Sequence, residues 1–148
     1  MTAAEHLPVL LDRTIELVRP RPGGVYVDAT LGLGGHAERL LAAGATVVGL
    51  DRDPDALATA TARLAAHGER LRTVHASFAD LADVAAGLGL AGVDGVLYDL
   101  GVSSLQLDEP GRGFSYRHDA PLDMRMDQTS GRSAAEVVNT YPVAELGI

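Results

Sequence analysis

Two kinds of apolar pattern alternate along roughly the first 100 residues. Short runs rich in β-branched residues, such as VYVDAT at 25–30 and TVVGLD at 46–51, are typical of buried strands. Ala- and Leu-rich stretches with helical spacing, such as 54–67, separate them, and two more strands are predicted at 72–78 and 93–99. Strands that alternate with helices in this way predict a parallel sheet with right-handed crossovers.

Capping and breaking residues set the predicted ends of the helices. An amphipathic helix is predicted over 8–18, with Pro8 in its first turn, and it ends at the prolines and glycines of 19–24. Asp53 and Pro54 are typical of the N-cap and first position of a helix. Two further helices are predicted at 37–44 and 78–89. The pattern therefore predicts an α/β fold in which helices cover a parallel sheet.

The pattern changes after residue 100. Residues 101–132 mix Gly, Pro, carboxylates and Arg with little periodicity, which predicts an ordered functional loop or lid. Ser133 and Glu136 match a capping box that predicts a short helix, and Tyr141 with Pro142 begins another. Because four parallel strands leave the fourth with an uncovered edge, we expect that the sequence is truncated at its C-terminal end.

Composition and charge exclude several classes of protein. The chain has 148 residues, 47% of them apolar, which is enough for one compact domain. All 12 basic residues are Arg and the formal net charge is −8, which argues against binding nucleic acid or membranes through a general positive field. The absence of Cys excludes disulfides and thiolate chemistry. Because neither a signal peptide nor an apolar run of about 20 residues is found, we expect a cytoplasmic protein with no membrane partner.

Residues that suit a ligand site follow each predicted strand. They are Asp28 before a glycine loop, Asp51 at the second strand, Phe78 at the third and Asp99 at the fourth. Open parallel sheets bind ligands beyond the carboxyl ends of their strands, beside the first strand. We therefore expect these residues to form a single site at one edge of the sheet.

The glycine loop from Gly32 to Ala37 matches the dinucleotide-binding fingerprint G-x-G-x-x-G/A. Asp51 follows Gly32 by 19 residues, a position from which a carboxylate can hold two ribose hydroxyls. This pattern suits NAD, FAD or S-adenosylmethionine, and a tight turn without a ligand is the alternative. Asp28 favours S-adenosylmethionine because a carboxylate there would repel a pyrophosphate and attract an ammonium or sulfonium.

Two of these side chains, Asp28 and Phe78, have a structural alternative. Asp28 could cap the glycine loop through backbone N–H groups. Asp53 is better placed than Asp51 as a helix cap, which leaves Asp51 for the ribose. Phe78 offers an aromatic face to an adenine or belongs to the core.

Five longer strings resemble the bacterial MraW/RsmH family: DATLGLGGH at 28–36, DRDPDAL at 51–57, DLGVSSLQLD at 99–108, RGFSYRHDAPLDMRMD at 112–127 and SAAEVVNTY at 133–141. The resemblance implies a Rossmann-like class I S-adenosylmethionine-dependent methyltransferase that acts on the N4 amino group of a cytidine in 16S ribosomal RNA. It also implies the small ribosomal subunit as a partner. A homodimer is possible, and the resemblance does not decide it.

The same resemblance assigns roles to residues. It implies cofactor contacts from Gly34, Gly35, His36, Asp51, Phe78, Asp99 and Gln106, to which the glycine-loop argument adds Asp28 and Gly32. Residues 1–100 would form the cofactor-binding half, and 101–148 the active-site lid and the start of a helical insertion. Family members are about twice as long, and Leu105 stands where they usually have Pro, which removes no contacting side chain.

Asp99 is the predicted catalytic residue. A cytosine N4 is a poor nucleophile because its lone pair is delocalised into the ring, and an acceptor beside the amino group would localise that lone pair. The alternative roles for Asp99 are a loop cap or positioning of the cofactor. Stacking faces are predicted from Phe114 and Tyr116, and either phosphate contacts or internal ion pairs from Arg112, Arg117 and Arg125.

No metal site is predicted, since Asp119, Asp123 and Asp127 would share a face only in a helix, which Pro121 opposes. Two other functions stay open. One is an NAD(P)-dependent oxidoreductase, supported by the glycine fingerprint and Asp51. The other is a catalytically silent chain that only binds the cofactor.

Overall fold

The computed structural model describes residues 8–147, so the first seven residues of the predicted cofactor-binding half lie outside the described part. Four parallel strands form one sheet: β1 (Val25–Asp28), β2 (Thr46–Asp51), β3 (Leu71–His75) and β4 (Gly95–Leu97). Their order is β3-β2-β1-β4, with Val27 of β1 paired to Val48 of β2 and to Val96 of β4. The predicted α/β class and parallel sheet are confirmed.

Residues 8–147 contain seven α-helices: α1 (Leu11–Val18), α2 (Gly35–Ala42), α3 (Pro54–Arg63), α4 (Leu81–Gly87), α5 (Ser104–Asp108), α6 (Ala134–Thr140) and α7 (Val143–Leu146). Short 3₁₀ helices lie at Ala65–Arg70, Phe78–Asp80 and Pro110–Arg112. The described chain forms two compact units, the first ending at Gly101 and the second beginning at Val102. No helix in the described residues is long and apolar enough to cross a membrane.

The two faces of the sheet in the first unit pack against different helices. On one face, Tyr26 and Val47 pack with buried residues of α2 and α3, such as Leu41 and Ala60. On the other face lie Val27, Ala29, Val48 and Leu50, against which residues of α4 pack. Successive residues of a strand point to opposite faces, so both faces of β1 and β2 are buried. This is why both strands are almost continuously apolar.

Several predicted ends are wrong for local backbone reasons. Helix α1 begins at Leu11 and not at Pro8, because Leu10 has a left-handed φ of +55°. Helix α3 ends at Arg63, and the chain continues to Arg70 as a 3₁₀ helix in which Gly68 has a φ of +57°.

β2 spans the predicted residues 46–51, but the other three strands are shorter than predicted. β1 ends at Asp28, after which the chain turns towards Gly32, and β4 spans only Gly95–Leu97. β3 ends at His75 because Ser77 caps the following 3₁₀ helix, its Oγ accepting the N–H of Ala79 at 3.2 Å. Phe78 therefore belongs to a turn beyond the sheet.

The second unit contains a helix that the sequence pattern missed. Within the predicted lid, α5 is capped by Ser103 and Gln106, which exchange the reciprocal hydrogen bonds of a capping box. At five residues this helix is too short to show a periodic pattern. The capping box of α6, formed by Ser133 and Glu136, is confirmed.

Replacing Ser133 with Ala should lower the free energy of unfolding by about 1 kcal/mol, because the N–H of Glu136 loses its acceptor at the start of α6. Urea unfolding measures the change. Ser133→Asp, which keeps an acceptor at the N-cap, is the matched control and should stay close to the unmodified chain. An equal loss in both variants would contradict the cap.

Candidate active site

The carboxyl ends of β1 and β4 lie side by side. Backbone N–H groups just beyond the two strands form hydrogen bonds between them. Asp28 is the last residue of β1, and Asp99 follows β4 by two residues. The N–H of Asp99 donates to Oγ1 of Thr30 at 2.7 Å, and the N–H of Ala29 donates to the carbonyl of Leu97. We call this end of the sheet, with Asp28, Asp51 and Asp99, the carboxyl edge.

Asp51 holds the glycine loop against the end of β2. Its Oδ2 accepts the N–H of Gly32 at 2.7 Å, and its Oδ1 accepts the N–H of Asp53 at 2.9 Å. Asp53 is buried and caps α3 by accepting N–H groups of Asp55 and Ala56, as predicted. Each carboxylate oxygen has more than one lone pair, so Asp51 keeps acceptor capacity for a ligand.

The glycines of the loop are required by packing. Gly34 has a φ of +81°, and a Cβ there would lie 2.7 Å from Cδ1 of the buried Leu64. A Cβ on Gly35 would collide with Pro8. The loop therefore needs these glycines whether or not a ligand binds, and their predicted cofactor contacts stay a prediction.

Replacing Gly34 with Ala should destabilise the first unit by roughly 1–3 kcal/mol, because a left-handed residue and a close contact with Leu64 are both disfavoured. Thermal or urea unfolding measures the loss. Gly87→Ala at the end of α4 is the matched control, since no heavy atom lies within 4 Å of its Cβ position. Similar stability of the two variants would contradict this account of the loop.

Asp28 is buried, with only 1% of its surface exposed. Its carboxylate accepts the N–H of Thr30 at 3.3 Å and the backbone N–H of Ala37 in α2. Burial, assisted by the negative charges of Asp51 and Asp99, raises the pKa of Asp28 to about 7. The structural alternative, a cap for the glycine loop, is confirmed, and a contact with the cofactor stays a prediction.

His36 in the first turn of α2 is also buried, with 6% exposed. Its Nδ1 lies 3.8 Å from Oδ2 of Asp99, and its Nε2 has no hydrogen-bond partner among residues 8–147. Burial lowers the pKa of His36 more strongly than Asp99 raises it. The imidazole is therefore neutral near pH 7, with one buried polar atom that a ligand could satisfy.

Two aromatic rings meet at the same end of the sheet. Phe78 and Tyr98 form an edge-to-face pair with ring centroids 5.9 Å apart, and each is nearly half exposed. Phe78 is thus not a core residue, and its ring is available to a ligand. Tyr98 was missed from the sequence, although an aromatic residue directly before Asp99 was a usable signal.

The remaining predicted residues lie in the second unit. Gln106 is buried and its Oε1 accepts the N–H of Ser103 at 3.0 Å, so its assigned structural role is to cap α5. Its contact with the cofactor stays a prediction.

Two of the three arginines predicted to meet phosphates have internal partners. Arg112 is buried and donates to the carbonyl oxygens of Arg125 and Met126. Arg125 makes a two-pronged ion pair with Asp123, at 3.0 and 2.7 Å, and this pair lowers the pKa of Asp123 to about 2. The alternative of internal pairing is confirmed for Arg125. Within residues 8–147, no group of three or more His, Asp and Glu residues could hold a metal ion.

The groups at the carboxyl edge fit a cofactor that carries a ribose and a positive centre. Asp51 keeps acceptor capacity that hydroxyl groups could use, and Nε2 of His36 is a buried polar atom with no hydrogen-bond partner among residues 8–147. The charges of Asp51 and Asp99 both raise the pKa of Asp28, so the three carboxyl groups are close enough to interact, and a pyrophosphate bound at this edge would be repelled by them. The edge therefore disfavours NAD, even where Asp28 carries a proton.

Comparison with known proteins points to one family. The chain is 62% identical over 147 residues to ribosomal RNA small subunit methyltransferase H of Frankia alni, covering 95% of this chain and 45% of that protein. It is 59% identical over 146 residues to the protein of the same name from Saccharopolyspora erythraea, covering 95% and 44%. The chain therefore spans less than half the length of these curated relatives.

A solved structure shares the fold. It is a Clostridium thermocellum protein provisionally assigned as an rRNA methylase, with a TM-score of 0.55, 19% identity, and coverage of 68% of this chain and 55% of that one. The parallel sheet with flanking helices is the Rossmann-like α/β fold of class I S-adenosylmethionine-dependent methyltransferases. The family model described as MraW methylase matches residues 3–148, and by this match the chain belongs to the MraW methylase family.

Proposed function

We propose that this protein transfers a methyl group from S-adenosylmethionine to the N4 amino group of a cytidine in 16S ribosomal RNA of the small subunit. One juxtaposition carries the proposal: Asp28, Asp51 and Asp99 converge at the carboxyl edge in a member of the MraW methylase family. Relatives named ribosomal RNA small subunit methyltransferase H support the substrate class. The donor, the acceptor atom and the cytoplasmic location are our inference.

Residues of the first unit would hold the cofactor at its two ends. Asp51, fixed by the N–H groups of Gly32 and Asp53, would accept hydrogen bonds from the ribose hydroxyls. Phe78 would offer its half-exposed ring to the adenine. The neutral His36 would use its Nε2 towards the polar methionine end.

Asp99 would act on the acceptor. When bound, S-adenosylmethionine would supply an electrophilic methyl group on its sulfonium. The Asp99 carboxylate, half exposed and with its backbone N–H bonded to Thr30, is available to accept a hydrogen bond from the cytidine amino group. That bond would localise the lone pair of N4 for in-line attack, in which the C–N bond forms as the C–S bond breaks. The surplus proton on N4 would then pass to Asp99 or to water.

Calorimetric titration with S-adenosylmethionine and, separately, with NAD tests the cofactor. We expect saturable binding of S-adenosylmethionine and none of NAD, because the three carboxylates disfavour a pyrophosphate. Binding of NAD in preference to S-adenosylmethionine would contradict the proposal and favour the alternative function, an NAD(P)-dependent oxidoreductase.

Methyl transfer is tested with methyl-labelled S-adenosylmethionine and small subunits that lack this modification. Label in the N4-methylcytidine of the digested RNA is the expected result, and its loss in Asp99→Ala with retained cofactor binding would support the catalytic role. Cofactor binding without any transfer would support the silent alternative.

A further inference from the structure

We propose that Tyr116 and Arg117 contact a single-stranded segment of the RNA substrate, the tyrosine ring stacking on an unpaired base and the guanidinium binding a phosphate. The inference rests on the proposed function, since it names where the RNA touches this chain. Both residues belong to the tip loop, which we define as residues 113–121.

Tyr116 is fully exposed, at 100% of its possible surface. The other three tyrosines of the chain all have contacts: Tyr26 is buried, Tyr98 pairs with Phe78, and Tyr141 lies under the guanidinium of Arg132 at 5.5 Å. A ring held entirely in water gains free energy when a flat apolar surface covers it. A nucleobase is such a surface, and stacking on it needs no pocket.

Arg117 differs from the other arginines of the second unit. Arg112 is buried and donates hydrogen bonds to carbonyl oxygens. Arg125 is paired with Asp123, and Arg132 lies over the ring of Tyr141. Among the arginines that the structure describes in this unit, Arg117 alone has a guanidinium with no hydrogen bond, ion pair or ring contact, although its backbone N–H donates to Ser115. Tyr116 and Arg117 are consecutive and both are exposed, so an aromatic ring and a planar guanidinium are available within one short segment, which suits a base and its phosphate.

The tip loop is anchored at its base. The N–H of Met124 donates to the carbonyl of Arg112 at 2.9 Å. Gly113 and Pro121, the two ends of the loop, lie close together. Gly113 has a φ of +72°, and a Cβ on it would be 2.5 Å from the carbonyl oxygen of Pro121. The buried Arg112 guanidinium holds the carbonyls of residues 125 and 126 as well. A loop anchored in this way loses less conformational entropy when its tip binds a ligand.

The observations favour RNA over a protein partner. A stable protein interface needs about 1,000 Å² or more with an apolar centre, whereas the exposed neighbours of Tyr116 along the tip are the polar Arg117, His118 and Asp119. The formal charge of −8 removes any general attraction for RNA, so binding must use local contacts. Tyr116 and Arg117 supply one stacking face and one phosphate contact.

Fluorescence anisotropy with a labelled, unstructured, cytidine-containing RNA oligonucleotide tests the two roles separately. Tyr116→Leu should weaken binding roughly five- to 150-fold, while Tyr116→Phe, which keeps the ring, should stay near the unmodified chain. Arg117→Gln should weaken binding and lower the slope of log affinity against log salt by about 0.7, the value for one phosphate of a single strand. Arg132→Gln, which removes the same charge from the same unit, is the matched control and should leave Tyr116-dependent binding intact.

Three outcomes would overturn the inference: no measurable RNA binding by the unmodified chain, equal losses in Tyr116→Phe and Tyr116→Leu, or a salt slope unchanged in Arg117→Gln. A fourth outcome comes from binding to the small subunit. If Tyr116→Leu bound the intact small subunit more weakly but bound 16S RNA stripped of protein as before, the tip loop would contact a protein, and the inference would be overturned. Titration of the same samples with S-adenosylmethionine keeps the proposed function distinguishable. The tip variants should bind the cofactor as the unmodified chain does, so an RNA failure with intact cofactor binding rejects this inference alone.

Discussion

Replacing Asp51 with Ala is expected to weaken the binding of S-adenosylmethionine at least about 100-fold, to the point where calorimetry detects no saturation. Two ribose hydroxyls would lose a charged acceptor, and each such hydrogen bond contributes about 1.5–3 kcal/mol. The N–H groups of Gly32 and Asp53 would lose their acceptor as well, so the glycine loop would no longer be held against β2. Circular dichroism and urea unfolding would establish that the variant is folded.

Asp55→Asn is the matched control for this experiment. It removes one carboxylate from an exposed position in the first turn of α3, four residues from Asp51, and should bind the cofactor within a few-fold of the unmodified chain. If Asp51→Ala bound as well as this control, Asp51 would not be the ribose acceptor. A similar loss in both variants would indicate that the overall charge of the loop, and not the Asp51 contact, determines binding.

The stability of the first unit is expected to fall as the pH rises from about 4 to about 7, because Asp28 must lose its proton while it is buried. The pKa of this group is about 7 in the folded chain and 3.8 when it is solvated, so the folded state binds more protons in this window. The stabilisation is present below pH 4 and is lost as the pH passes through 7. Three pKa units correspond to roughly 4 kcal/mol.

Asp28→Asn should remove this pH dependence, since the amide keeps an acceptor oxygen and cannot ionise. Urea unfolding at pH 4 to 8 measures the difference between the variant and the unmodified chain, and Asp83→Asn on the exposed side of α4 controls for the loss of one charge. A parallel profile for Asp28→Asn would contradict the raised pKa. If Asp28 also holds a cationic ligand, calorimetry in buffers of different ionisation enthalpy should detect proton release near pH 7 on binding.

Local chemistry made much of the first unit predictable from the sequence. The continuous apolar character of β1 and β2 indicated strands buried on both faces, and Asp53 with Pro54 indicated the start of α3. The ends of elements were less predictable, because left-handed residues such as Leu10 carry no signal in their side chains. Helix α5 was missed for a similar reason, since five residues are too few to show a period.

The candidate site divides in the same way. The order of strands and helices was enough to predict that Asp28, Asp51 and Asp99 meet at one edge of the sheet. It was not enough to assign their states: the burial of Asp28, the distance from His36 to Asp99 and the pairing of Phe78 with Tyr98 depend on residues far apart in the chain. The partners of the arginines were not predictable either, because nothing in the sequence distinguishes Arg112, Arg117 and Arg125.

The sequence by itself therefore determined the class of fold, the edge at which the candidate site lies and the family, because periodicity, caps and family strings are properties of neighbouring residues. Only the tertiary structure decided which carboxylate is buried and which arginines of the second unit have internal partners. Arg112 and Arg125 are held by groups 2 to 14 residues away in the chain, and Arg117, which follows Tyr116 in the sequence, is exposed. Burial and pairing depend on which groups folding brings within a few ångströms, and a linear pattern does not specify those distances.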